Sequence, residues 1–286
     1  MIKFSGKMII VLAAFIVAVG FSVLAYQYVT LEANYQILLE MSQQQQTVLP
    51  HEDEVLAAAQ QVKAGVVGVF LRDVPEGAPI AELSDGTGFI IHENGYILTN
   101  RHVVEGETNI KIVAIDGKVY DAQLVAMSSE YPSIDIALLK APIEAPTVLE
   151  FGDTQEMRRG DVVFSVGHPS AWGTWVTLAG EFEYCWRTYT PRRKLYGDSY
   201  IYKPSGTGES GSPLFDLESR VIGIVHGTTA VEKGERIGPD NQILVWLGSA
   251  GLYWGNYTLA FDTDTIYEFI EEELGEALAA EIFGPR

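Results

Sequence analysis

The chain has 286 residues, with 38 acidic and 19 basic side chains and a formal net charge of −19. That balance argues against a nucleic-acid binder, since neutralising phosphates takes a basic surface, and 47% hydrophobic with 20% charged residues excludes a disordered chain. Cys185 is the sole cysteine, so neither an internal disulfide nor a cysteine-based zinc site can form, and core packing must hold the fold.

Lys3 and Lys7 precede an uncharged run from Met8 to Leu31. As a helix that run would span about 36 Å, enough for a hydrocarbon layer of about 30 Å. The next basic residue is Lys63. The positive-inside rule therefore predicts a single-pass anchor with a cytoplasmic N-terminus and everything after it outside the cytoplasm. The competing reading is a signal peptide, since Val23-Leu24-Ala25 would suit cleavage near Ala25 and secretion. Tyr28, Leu31, Tyr35 and Leu38 follow an a/d spacing, either a two-heptad stalk or a helix that simply continues out of the bilayer. Gln43 to Gln46 and Pro50 mark a polar linker. A helical pattern resumes over Glu52–Lys63, with Val55, Ala58, Ala59 and Val62 on one face.

From Val66 onward, short apolar runs alternate with Gly, Asn and Asp. Strands are predicted over Val66–Leu71, Gly88–Ile91, Tyr96–Thr99, Ile110–Ile115, Ile134–Leu139, Val162–Val166 and Val221–Val225. Asn94-Gly95 reads as a two-residue hairpin turn. No helical pattern alternates with these strands, which points to an all-β body of antiparallel barrels or a sandwich. Thr265–Ile282 reads as a C-terminal amphipathic helix with Ile266, Phe269, Ile270, Leu274 and Leu278 on one side. Thr265 and Glu268 fit a capping box for it.

Three segments carry chemistry when taken together. In GTGFIIHENGYILTNRHVV (86–104), His102 follows the second strand of the hairpin. In SIDIALLK (133–140), Asp135 interrupts an apolar strand. In TGESGSP (207–213), Ser210 lies in a glycine-flanked loop. A hydroxyl is a poor nucleophile near neutral pH unless a base takes its proton, and imidazole suits that task. A buried carboxylate can fix the imidazole tautomer. Gly208 lets the backbone turn so that the N–H groups of Gly208 and Ser210 converge as an oxyanion hole, each donor worth on the order of 3 kcal/mol. Singly, each residue has a plainer structural reading; the joint pattern points to the chemistry.

These segments resemble the trypsin-like serine proteases, and most of all the high-temperature-requirement (HtrA/Deg) branch, over roughly residues 66–274. GYILTNRHVV resembles the base-bearing segment, DIALLK the aspartate segment and GESGSPLF the nucleophile loop. FGDTQEMRRGDVVFSVGHP (151–169) resembles the entry to the second barrel, and YTLAFDTDTIYEFIEEEL (257–274) the closing strand and terminal helix. The resemblance implies two antiparallel β-barrels behind an anchor (1–31) and a stalk and linker (32–63). The protease domain would span 64–274, with a first barrel over 64–148, a second over 149–262, and the end of the helix and a tail over 275–286. It implies a serine endopeptidase with His102, Asp135 and Ser210 as its triad. No metal or organic cofactor is implied. The substrate would be a protein or peptide, in protein quality control or regulated proteolysis, and the assembly a homo-oligomer, a trimer.

Several departures stand out. Glu209 replaces the family's Asp or Asn, Ser212 replaces a common glycine and reads as structural, and PSGTGES differs from the branch's Asn-Pro-Gly-Asn form. A cytoplasmic N-terminus could not insert to order the site. The sequence ends at Arg286, so the branch's PDZ module is expected to be absent. By resemblance, Ser205 on one side and Val225, His226, Gly227 and Thr228 on the other wall the substrate pocket. With no acidic residue at the pocket base, a small or medium apolar P1 residue is favoured. His226 lies one position after the histidine of glutamyl endopeptidases, and strand alternation would turn it to the opposite face. Arg187, Arg192, Arg193 and Lys194 form a basic cluster, either a solvated loop or one beside the cleft that pairs with acidic groups.

Overall fold

The computed structural model describes residues 51–75, 84–129, 134–144, 147–169, 174–188, 196–202, 207–230 and 256–283. The apolar run at 8–31, the stalk, Ser205 and residues 192–194 of the basic cluster lie outside the described residues. Among the described residues no helix is long and apolar enough to cross a membrane.

Twelve described strands form two closed barrels. The first contains β1 (Val66–Phe70), β2 (Gly86–His92), β3 (Tyr96–Thr99), β4 (Ile110–Val113), β5 (Val119–Met127) and β6 (Ala137–Lys140), joined in the order β1-β2-β3-β6-β5-β4. The second contains β7 (Val162–Gly167), β8 (Val176–Thr188), β9 (Tyr196–Tyr202), β10 (Pro213–Phe215), β11 (Val221–Ala230) and β12 (Asn256–Asp262), in the order β10-β11-β12-β9-β8-β7. Pairing of β1 with β4 closes one barrel and pairing of β10 with β7 closes the other, all antiparallel.

The apolar runs are continuous because these strands bury both faces. All seven residues of β2 are buried. Ile90, Ile97, Ala137 and Leu139 pack inside the first barrel, with Ile110 and Ile112. Phe89, Ile91, Leu98 and Leu138, one position along, join a second cluster with Phe164, Phe215, Ile224 and Phe261 of the other barrel. The period of two thus divides one strand between a barrel interior and the seam between barrels. Each fully buried Phe, Leu or Ile contributes about 1.5–3 kcal/mol of transfer free energy, so the seam is a main source of stability. Helix α1 (Glu52–Val62) lays Val55, Ala58, Ala59 and Val62 into that seam cluster, the face expected from spacing.

Four local expectations are corrected. The β2–β3 hairpin has a three-residue loop, Glu93-Asn94-Gly95, because His92 pairs with Tyr96 across a register shift. Gly95 takes the left-handed φ of 81° that this closure needs, and a Cβ there would stand 2.2 Å from the Ala141 carbonyl. Second, Ile134–Ile136 stay outside the ladder, which starts at Ala137. Third, the C-terminal helix is broken into α3 (Thr263–Leu274) and α4 (Glu276–Phe283) at Gly275, φ 89°. Fourth, its cap is Asp262, whose Oδ1 accepts from the Thr265 amide at 2.9 Å, so Thr265 sits in the first turn and not at the cap. Ile266, Phe269 and Ile270 are buried as expected, while Leu274 and Leu278 are half-buried.

Candidate active site

The base-bearing segment is short and tightly held. Strand β3 delivers the chain to Asn100, which precedes the one-turn helix α2 (Arg101–Val104). Val103 and Val104 anchor this turn in the first barrel's interior, leaving the His102 side chain 37% exposed. Asp135, 6% exposed, stands just before β6. One oxygen of its carboxylate, Oδ1, accepts the His102 backbone N–H at 2.8 Å, and the other, Oδ2, is hydrogen-bonded to His102 Nδ1. The Asn100 side-chain Nδ2 donates to the Asp135 carbonyl at 2.7 Å, holding the backbone as well. An ionised carboxylate only accepts, so in the neutral ring Nδ1 carries the proton and Nε2 keeps its lone pair. That is the tautomer a general base needs.

The nucleophile loop lies between β9 and β10. Gly208 and Gly211 both take left-handed φ values, 96° and 86°. The loop is tied to β11 by Gly211 N–H to the Val225 carbonyl and by Val225 N–H to the Ser212 carbonyl, both 2.8 Å. Ser212 is fully buried and its amide donates to the Glu209 carbonyl at 2.8 Å, a structural role. Glu209 is 1% exposed, and its longer side chain reaches β7, where Ser165 Oγ donates to Oε1 at 2.7 Å. Among the described residues, Ser210 Oγ and the amides of Gly208 and Ser210 are engaged by no hydrogen bond.

The two segments come from different barrels and meet at close quarters. The Thr87 amide donates to the Ser210 carbonyl at 2.9 Å. A Cβ at Gly211 would stand 2.1 Å from the Thr87 carbonyl and 3.2 Å from the Asn100 amide. A Cβ at Gly86 would stand 2.7 Å from Val103 and 3.3 Å from the Ser210 carbonyl. The loop of Ser210 is thus seated on the backbone that leads into His102, and glycine is required at both approaches.

Of the pocket residues, Val225 is buried and His226 and Gly227 are half-buried; Thr228 continues the β11 backbone. Simple strand alternation does not apply at His226, because β11 shifts register between Val225 and Gly227. His226 sits at that irregularity with its ring stacked on Phe261, centroids 4.0 Å apart.

Three residues at this site were not singled out by sequence. Thr87 and Asn100 lie within the quoted segments but have no motif value alone. His168 lies in the VGHP run and is buried, its ring edge-on to Trp175 at 4.5 Å. Burial pushes its pKa from the ordinary 6.5 to about 3, so it is neutral. Trp175 in turn donates its indole N–H to the Val66 carbonyl at 2.9 Å. Among the described residues no cluster of three or more His, Cys, Asp or Glu could hold a metal ion.

Residues 86–224 match the family model described as the trypsin-like peptidase domain. The chain is 37% identical over 139 residues to a probable periplasmic serine endoprotease, DegP-like, of Halomonas elongata, covering 49% of this chain and 28% of that one. It is 34% identical over 144 residues to the protein of the same description from Marinomonas sp., covering 49% and 29%. The matched stretch is therefore under a third of each relative's own length. Among solved structures, the HtrA-type protease AlgW with a tripeptide aligns with a TM-score of 0.57 at 23% identity, covering 78% of this chain and 64% of that one. The Rv3671c protease from M. tuberculosis, active form, aligns with a TM-score of 0.54 at 23% identity, covering 76% and 83%. At such identities the structural likeness speaks to the fold.

Proposed function

We propose, from the premise that this chain carries a trypsin-like peptidase domain like those of DegP-like endoproteases, that it is a serine endopeptidase. The observation that carries the reading is the bonded His102–Asp135 pair together with a Ser210 loop that is held by Thr87 and packs at Gly211 against Asn100, two residues before His102. His102 Nε2 takes the Ser210 proton as Oγ attacks a peptide carbonyl. Asp135 stabilises the imidazolium, and the Gly208 and Ser210 amides take the developing oxyanion. The imidazolium then protonates the leaving amine. Water, deprotonated by the same imidazole, releases the acyl group. Ser205 and Val225 to Thr228 would shape the P1 pocket.

The apolar run at 8–31 and its two preceding lysines support a tethered enzyme acting outside the cytoplasm. The relatives described as periplasmic are in keeping with that compartment. The work there is protein quality control or regulated proteolysis on protein substrates, in a trimer by resemblance.

The test is fluorophosphonate labelling of the full-length protein in detergent, with mass spectrometry of the modified peptide. Ser210 should be modified, and the Ser210→Ala and His102→Ala variants should remain unlabelled. An unlabelled but folded wild type overturns the reading. Retention in alkaline-washed membranes tests the tether; a mature N-terminus just after Ala25 would replace it with secretion.

A further inference from the structure

We infer that Thr87, on the first barrel, is a positioning residue that sets the oxyanion site on the second. The inference rests on the serine peptidase reading and adds to it a residue outside the triad. The two candidate oxyanion donors belong to the peptides 207–208 and 209–210. Between them lies the peptide 208–209, whose carbonyl accepts the Thr87 hydroxyl proton at 2.7 Å. The next carbonyl but one, that of Ser210, accepts the Thr87 amide proton at 2.9 Å. One residue thus holds two alternate peptides of a four-residue stretch; the Ser210 donor peptide lies between them, and the Gly208 donor peptide directly precedes the first.

An external hold is needed at this place. Gly208 has no Cβ and a φ of 96°, so little in its own sterics resists rotation of the flanking peptides. Rotation would replace a converging N–H with a carbonyl oxygen, and the site would then repel an oxyanion. Preorganised donors are effective because they need no reorientation during the reaction.

Thr87 is itself fixed on every side. It is fully buried, and its carbonyl accepts from Thr99 Oγ1 at 2.7 Å. Its hydroxyl oxygen accepts the His168 backbone N–H at 3.1 Å and faces His168 Nδ1 at 3.3 Å. The single hydroxyl proton is committed to Gly208, so the imidazole must donate through Nδ1–H, which makes His168 the Nδ1-protonated tautomer. Neutral His168, Thr87 and the Gly208 carbonyl then form a directional chain of donors ending at the loop.

Thr87→Val keeps the side-chain volume and removes the donor; Thr87→Ser keeps the donor and removes a methyl. Both are made in the full-length protein, with Thr87→Ala as the smaller replacement should the valine variant not fold. The readouts are kcat and KM on a peptide substrate, affinity for a peptide boronic acid that becomes tetrahedral at the serine, and fluorophosphonate labelling. Thr87→Val should lower kcat by about ten- to a hundredfold while KM stays within about twofold. Boronic acid affinity should fall in parallel with kcat, and Thr87→Ser should restore both. Wild-type kcat in a folded Thr87→Val protein overturns the inference, as does an equal loss in the serine variant or a change confined to KM. If the wild type itself fails to label, the peptidase reading falls and this inference with it. If the wild type labels and the valine variant labels equally fast, the inference alone falls.

Discussion

Asp135 holds His102 at two points, accepting its backbone N–H through Oδ1 at 2.8 Å and bonding its ring Nδ1 through Oδ2. One carboxylate therefore fixes both the position of the residue and the tautomer of its ring. Asp135→Asn preserves the shape but offers one acceptor in place of two. It should lower kcat by on the order of 10⁴-fold, with far smaller change in KM. Steady-state kinetics on the folded variant checks this, and activity within tenfold of wild type would contradict the role assigned to Asp135.

His168 makes stability depend on pH. Its folded pKa is about 3, and an exposed histidine titrates near 6.5. Between those values the unfolded chain binds a proton that the folded chain refuses, so stability falls as pH drops from about 6.5 toward 3. Above pH 6.5 both forms are neutral and the effect vanishes. His168→Gln, which keeps a donor and cannot ionise, should flatten this part of the profile. From pH 6.5 down to 4 the melting temperature of the wild type should fall relative to that of the variant, and parallel curves from pH 4 to 8 would exclude the assignment.

Two left-handed glycines should respond differently to alanine. Gly106 has a φ of 82° and nothing within 4 Å of the point where a methyl would stand, so Gly106→Ala should cost only about 1–2 kcal/mol of backbone strain. Gly211, at 86°, would put its methyl 2.1 Å from the Thr87 carbonyl and 2.6 Å from Thr99 Oγ1. Backbone on one side and a committed hydroxyl on the other leave no room to give. Gly211→Ala should therefore lose several kcal/mol, on the scale of core overpacking plus strain, and abolish labelling of Ser210. Urea unfolding of the two variants side by side measures the difference.

Local patterns were legible in the sequence where one interaction range decided them. Strand β3 has the bounds that its apolar run suggests, and α1 buries the four residues its spacing selects. The segments carrying His102, Asp135 and Ser210 could be read in order, because each has its own local texture. Their meeting was not visible in that texture. Thr87 bonds a residue 121 positions away and another 81 away, and neither partner leaves a mark on the GTGF run. The register shift at His226 is equally hidden, since a bulge adds one residue to a strand without altering its composition. The helix break at Gly275 had a signal, a glycine inside the pattern, but an amphipathic face that spans the break concealed it.

The division of the candidate site between two closed barrels also orders its assembly. The base and its carboxylate sit beside strands of a barrel that is complete by residue 140, whereas the Ser210 loop depends on β10 and β11, and their barrel is not closed until β12 has joined at residues 256–262. Domains generally fold from the N-terminus as the chain is made or exported. A growing chain thus passes from residue 140 to residue 256 with half of a site and its serine loop unseated. The serine loop is thus the last part of the candidate site to be seated.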